Sequence, residues 1–295
     1  MENEKQVIVK YMGGLGNQMF QYAIGEAFRN EGYRVRADIR WFNNGEAVRE
    51  FLLPKVFSKV SLDYVDNETA ERYEYSYKNR SFLCKVYEHF YIKDKLVYYE
   101  RKPYTFDKKI WGLEDAIIEG YWQSYKYFDR IKEKLWMDFL FPEINNQEAA
   151  YFNNKISENN VASLHIRGGD YLTTENRSVF GKGCNKTYYL KAIEIIKKRN
   201  PEAVFWGFTN DIDYAKKMVD LKEIKWHNRA ELKEYPDWMD MYLMSLCRYN
   251  ILANSSFSWW AAYLNRNSER LVIAPKEWYN LVQKDDICPK EWIRL

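Results

Sequence analysis

Apolar positions along this chain follow two periods, one of about two residues and one of about 3.6. Residues 7–11 are an apolar, β-branched run that predicts a strand. GGLGNQ at 13–18 breaks the run, and Met19, Phe20, Ala23, Ile24, Ala27 and Phe28 then recur at helical spacing until Gly32. A second short strand begins at Val35, so the chain opens as a βαβ unit. Over residues 41–110 the pattern dissolves. Tyr73, Tyr75, Tyr77, Tyr87, Phe90, Tyr91, Tyr98 and Tyr99 fall among basic residues without a clean period, which predicts loops and irregular helices. Residues 116–122 return to a strand pattern and 125–139 to a helical one. The polar tract 142–160, with its NNQE and SENN stretches, marks the boundary between a domain at 1–150 and one at 151–295.

The second half alternates more regularly. Strands are predicted at 161–166, 203–208, 223–226, 251–253 and, as the last, 271–274. Helices are predicted at 187–199, which ends ahead of Pro201, and at 214–219, 237–247 and 257–264. Strands and helices taking turns imply a parallel sheet covered on both faces, a Rossmann-like domain. Ligands in such a sheet bind beyond the carboxyl ends of the strands, here residues 167–170, 209–211 and 254–258.

Composition narrows the function classes. The 295 residues suit two domains better than one core. Aromatic residues make up 18% of the chain, with 11 Trp, 25 Tyr and 16 Phe, which excludes disorder and low-complexity scaffolds. Tyr and Trp join an apolar face to a polar tip, so the surplus serves either core packing or a surface on which sugars stack. A net charge of +3 is too balanced for nucleic-acid binding through bulk charge. Residues 1–150 carry 23 basic and 24 acidic side chains and residues 151–295 carry 22 and 18, so the second half is the better host for an anion. Cys84, Cys184, Cys247 and Cys288 lie far apart, and His89, His165 and His227 show no metal-binding spacing. A reduced, cytoplasmic protein without a structural zinc is expected. The opening MENEKQVIVKYM lacks the features of a signal peptide, and no run of about 18 apolar residues predicts a membrane span. Peripheral attachment to a membrane is compatible with all of this.

Four segments can carry chemistry. Gly13, Gly14 and Gly16, between strand and helix, form either an anion-binding loop or a tight turn, and a turn has no need of the Asn17–Gln18 pair beside them. No GK[ST] follows, so this is not a Walker A loop, and Met19 occupies the third glycine position of GxGxxG. Only Asp38 could meet a cofactor ribose, so a dinucleotide-dependent oxidoreductase fits poorly. In HIRGGDY at 165–171, Arg167 can fork onto a phosphate while Asp170 orients it or accepts a proton. Ser255 or Ser256 caps the helix that follows, whose start suits either a pyrophosphate or simple core packing of its tryptophans. Asp211 and Asp213 form a DxD that either chelates a divalent ion or supplies helix caps.

Together these segments resemble glycosyltransferase family 11, the α-1,2-fucosyltransferases. GGLGNQMFQYA (13–23) resembles the family's opening motif, GYWQSYKYF (120–128) its middle one, HIRGGDY its HxRRGDY signature, and ANSSFSWWAAYLN (253–265) its closing one. Two positions depart from the pattern. Gly168 stands where the family has a second arginine, and Asn210 where an acidic residue is usual.

The resemblance implies an α/β, GT-B-like fold of two Rossmann-like domains facing a cleft, with 1–150 mainly on the acceptor side and 151–295 binding a GDP-sugar. It implies inverting, metal-independent transfer of L-fucose from GDP-β-L-fucose to the 2-hydroxyl of a terminal β-galactoside, with no cofactor besides the donor substrate. Arg167 would hold the β-phosphate. Ser255, Ser256, Phe257 and Ser258 would cradle the pyrophosphate, and His165 and Asp211 would line the nucleotide. Asn17, Gln18, Gly14 and Gly16 would face the fucose or its phosphate. Trp122 and Gln123 would meet the acceptor. Asp170 and Glu175 are the candidate bases. Expected partners are a GDP-sugar and a galactose-terminated oligosaccharide of a surface glycan such as an O-antigen unit, with no nucleic acid. A transferase for another GDP-sugar and a catalytically inactive nucleotide- or sugar-binding module are the competing readings.

Overall fold

A computed structural model describes residues 4–43, 49–79, 81, 93, 95–143, 154, 156, 160–168, 183–227, 236–279 and 285–295. The chain divides into two units, Met1–Leu140 and Phe141–Leu295. Each is a parallel α/β sheet, as a GT-B-like reading requires of each half. Among the described residues, no helix is long and apolar enough to cross a membrane.

Unit 1 holds β1 (Gln6–Lys10), β2 (Arg34–Asp38), β3 (Val97–Tyr99) and β4 (Asp115–Glu119), ordered β2-β1-β4-β3 with every pair parallel. Val7, Ile8 and Val9 are consecutive and all fully buried, so both faces of this sheet are covered. Helix α1 (Leu15–Asn30) follows β1 and ends at Gly32, whose φ of +86° only glycine adopts cheaply. Short helices α2 (Arg40–Asn43) and α3 (Leu53–Val56) lead to α4 (Asn67–Lys78). Twelve helical residues here correct the expectation of irregular structure over 41–110. Asp66 caps α4 by accepting from the Thr69 N–H at 2.7 Å, and Ala70 and Tyr73 pack on Ile8 and Ile117. Few of its other residues are apolar, which is why its period is faint.

Two further expectations fail in this unit. The strand read at 116–122 stops at Glu119, because Trp122 adopts φ +55°. The helix read at 125–139 is two 3-10 turns, Tyr125–Tyr127 and Asp129–Ile131, followed by α5 (Lys132–Asp138). Tyr125, Tyr127 and Phe128 are all buried.

Unit 2 holds β5 (Val161–Ile166), β6 (Val204–Thr209), β7 (Lys225–Trp226), β8 (Tyr249–Ile251), β9 (Leu271–Ala274) and β10 (Ile293–Arg294). Their order is β10-β9-β8-β5-β6-β7, again parallel throughout. All six residues of β5 are buried, the mark of a central strand. Helices α6 (Lys186–Arg199), α7 (Ile212–Met218), α8 (Trp238–Leu246) and α9 (Ser256–Tyr263) connect the strands. β10 was not expected after 271–274. Its two residues are too few to show a period, and a bidentate Arg294–Asp285 pair at 2.9 Å anchors it.

Both sheets reverse direction once. In unit 1 the chain runs outward from β1 to β2 and places β4 on β1's other side. In unit 2 it runs from β5 to β6 and β7 and places β8 on β5's other side. Parallel sheets open a crevice at the carboxyl ends of the strands where the order reverses. Those two places are where the sequence motifs fall.

Candidate functional site

The reversal in unit 2 brings together the ends of β5 and β8. Arg167 and Gly168 follow β5, and 252–255 lead from β8 into α9. His165, the fifth residue of β5, is buried with its ring 6.2 Å from that of Phe257. Ser255 caps α9, its Oγ accepting from the Phe257 N–H at 3.3 Å. Ser258 is wholly buried and donates to the Ala253 and Ser255 carbonyls, so its hydroxyl shapes the turn. Ser256 and Phe257 stay partly open at the helix start. β5 pairs with β8, so Arg167 follows the strand next to the one that leads into α9, and a guanidinium and a helix N-terminus both favour an anion.

Asp211 sits at the end of β6, where its carboxylate accepts from the Tyr214 N–H at 3.0 Å and caps α7. That is the capping alternative for the DxD, and Asp213 points its exposed side chain from the first turn. The two departures from the family pattern form a single feature. The Gly168 N–H donates to Asn210 Oδ1 at 2.9 Å, and Asn210 Nδ2 donates back to the Gly168 carbonyl at 3.3 Å. A carboxylate at 210 could not make the second bond. A Cβ at 168 would stand 2.7 Å from Asp211 Cβ, so no arginine fits without moving that loop. Asp170, with Glu175, lies outside the described residues.

The reversal in unit 1 gathers Gly13, Gly14, Gly16, Asn17 and residues 120–123. Gly14 is the N-cap of α1 with no side-chain cap, and Gly13 has φ +78°. Asn17 Oδ1 accepts from Gln123 Nε2 at 2.8 Å, so the opening and middle motifs touch. Gln21 braces the same place by accepting from the Met12 N–H and donating to the Gly120 carbonyl.

Two expected ligand contacts are corrected. Gln18 is wholly buried. Its Nε2 donates to the Gly13 and Glu50 carbonyls and its Oε1 accepts from the Leu52 and Leu53 N–H groups, at 2.9–3.1 Å. Its four hydrogen-bonding positions are thereby used, and it holds two loops together instead of facing a sugar. Trp122 is also wholly buried, stacked on Tyr98 at 6.5 Å with Tyr127 edge-on at 6.0 Å. Neither ring face is open to an acceptor. Asp38 is fully buried and gripped by Arg40 through bonds of 2.9 and 2.7 Å, leaving nothing for a ribose.

One residue at this site went unforeseen. Glu100 directly follows β3 and packs into the space left by the missing side chain of Gly120, where a Cβ would lie 2.4 Å from its own. It accepts from the Tyr121 N–H at 2.8 Å. Burial pushes its carboxyl up to about 7, against the pull of the Tyr121 and Trp122 backbone N–H dipoles. The local sequence VYYE carries no signal for this.

The family described as Glycosyl transferase family 11 matches residues 2–295. An Escherichia coli protein named alpha-1,2-colitosyltransferase is 32% identical over 98% of this chain and 98% of its own length. The O-antigen biosynthesis glycosyltransferase WbnK of Escherichia coli is 30% identical over 96% of this chain and 98% of its own. Galactoside alpha-(1,2)-fucosyltransferase 1 of Alouatta belzebul is 23% identical over 52% of this chain and 44% of its own.

Proposed function

The chain belongs to glycosyl transferase family 11, and on that premise we propose that it transfers L-fucose from GDP-β-L-fucose to the 2-hydroxyl of a terminal β-galactoside, with inversion. The observation that carries this reading is the placement of Arg167 and the start of α9 at one reversal point of a parallel sheet. Arg167 forks onto the β-phosphate and, with the helix dipole, offsets the charge that grows as GDP departs. Ser255 keeps the helix start in shape, while Ser256 and Phe257 face the pyrophosphate. His165 lines the nucleotide. Unit 1 takes the acceptor at its own reversal point, where Asn17 and Gln123 present an amide pair to sugar hydroxyls. Asp211 serves as a helix cap, which supports transfer without a metal ion. The acceptor is a unit of a surface glycan, met by a protein associated peripherally with the membrane.

A second donor is favoured by one observation, the 32% identity to a protein named as a colitosyltransferase. Colitose is fucose without its 3-hydroxyl, and a site built to bind that hydroxyl rejects the deoxy sugar strongly. The test is a screen of GDP-fucose and GDP-colitose on β-galactoside acceptors, run with and without EDTA and with the product linkage read by NMR. An α-1,2-linked fucosyl product is expected. Faster transfer of colitose would reassign the donor, activity only without EDTA would restore Asp211 and Asp213 as metal ligands, and GDP binding without turnover would favour an inactive binding module.

A further inference from the structure

We propose that Glu100 is the general base that removes the proton from the acceptor hydroxyl, an assignment that rests on the transferase reading above. Three strand ends meet at the reversal point of unit 1, and Glu100 is the acidic residue that follows one of them directly. The loops after β1 and β4 bring Asn17 and Gln123 together, and Gln123 lies three residues past Gly120.

The carboxylate is built in. Gly120 leaves room for it, and the turn that follows sets the Tyr121 N–H 2.8 Å from it. That turn is strained, since Trp122 holds φ +55°, a conformation costly for a bulky side chain. One oxygen, Oε2, is fixed near the surface by the Tyr121 N–H. The other, Oε1, is shut off from water and has no hydrogen-bond partner among the described residues. A carboxylate half-solvated in this way is a stronger base than an open one, and its raised value near 7 is what burial predicts. The titratable side chains that feel its charge are the Tyr121 and Tyr127 phenols. Tyr99 and Tyr121, the neighbours on either side, are 48% and 39% exposed, and open rings beside a carboxylate suit a sugar's C–H face.

In the step, the acceptor oxygen attacks the anomeric carbon and its O–H proton passes to Glu100. The new C–O bond forms as the bond to the β-phosphate breaks, and that electron pair leaves on GDP. Only ionised Glu100 can act, so kcat/KM for the acceptor falls as pH drops below about 7.

The experiment compares wild-type protein with Glu100→Gln across pH 5–9, using whichever donor the wild type accepts. The variant is expected to lose about 10²–10⁴-fold in kcat with little change in donor KM, and to lose the acidic limb of its pH profile. Thermal unfolding gives a control. Between the ordinary glutamate value and about 7 the folded wild type holds a proton that the unfolded chain releases, so its stability falls as pH rises through that range. The variant should lack that slope. If Glu100→Gln does not fold, Glu100→Asp should keep the limb at a much reduced rate. Turnover of Glu100→Gln within threefold of wild type, or an unchanged acidic limb, overturns the assignment of Glu100 alone. A wild type inactive with every donor overturns the transferase reading itself.

Discussion

At the reversal point of unit 1 two neutral amides meet, with the partly buried Glu100 carboxylate after the next strand; at that of unit 2 an imidazole lies 6.2 Å from a ring at a helix start, with Arg167 after the same strand. The backbone frames are alike, since each has a glycine soon after a central strand and a second motif from the strand across the reversal. Their chemistry is opposite. A departing diphosphate gains negative charge and needs a cation and N–H groups. A sugar hydroxyl must lose a proton and needs hydrogen-bonding amides and a base. The proposed transfer would divide its donor and acceptor steps between two copies of one architecture by the groups that each presents.

The comparison can be broken most severely at Arg167. Replacing it with Ala should cost on the order of 10² or more in kcat, about 2.7 kcal/mol of transition-state stabilisation, without a matching fall in Tm. Near-normal turnover would remove the cationic half of the contrast. Next comes Gln18, on the other side. Gln18→Leu leaves four backbone groups of unit 1 unpaired and should cost about 2–3 kcal/mol, a drop of several degrees in Tm with donor KM unchanged. A variant that keeps its Tm but binds donor poorly would return Gln18 to the ligand. The smallest effect is expected at the start of α9. Ser255→Ala removes a cap worth about 1 kcal/mol, which urea unfolding should register, while GDP affinity changes only slightly. A loss of GDP binding larger than the loss of stability would mean that the hydroxyl itself meets the pyrophosphate.

How far the sequence could be read depended on how local each feature is. β1, the glycine turn and α1 were legible because a buried strand and a long apolar helix stand side by side in sequence. Arg167 was legible because it directly follows a six-residue buried strand. Helix α4 and strand β3 were not, since a helix that buries few positions and a strand of three residues leave little period to detect. Among the described residues the aromatic surplus is largely packing, while Tyr87, Phe90 and Tyr91 lie outside them. Tyr73, Tyr98, Trp122 and Tyr127 are core, whereas Tyr75, Tyr99 and Tyr121 are exposed. Composition cannot separate those groups, because a ring serves either purpose equally well.

The sequence by itself determined the opening βαβ unit, the main alternation of the second half and the motif that follows each central strand, because period and turn chemistry act between near neighbours. Tertiary structure decided which polar side chains remain for a ligand. Gln18 spends its amide on residues 32–35 positions away, and Glu100 becomes a base only where pairing of β3 with β4 sets it against a turn about 20 residues on. Saturation of hydrogen bonds and loss of water are properties of the assembled sheet, and no local stretch of sequence contains them.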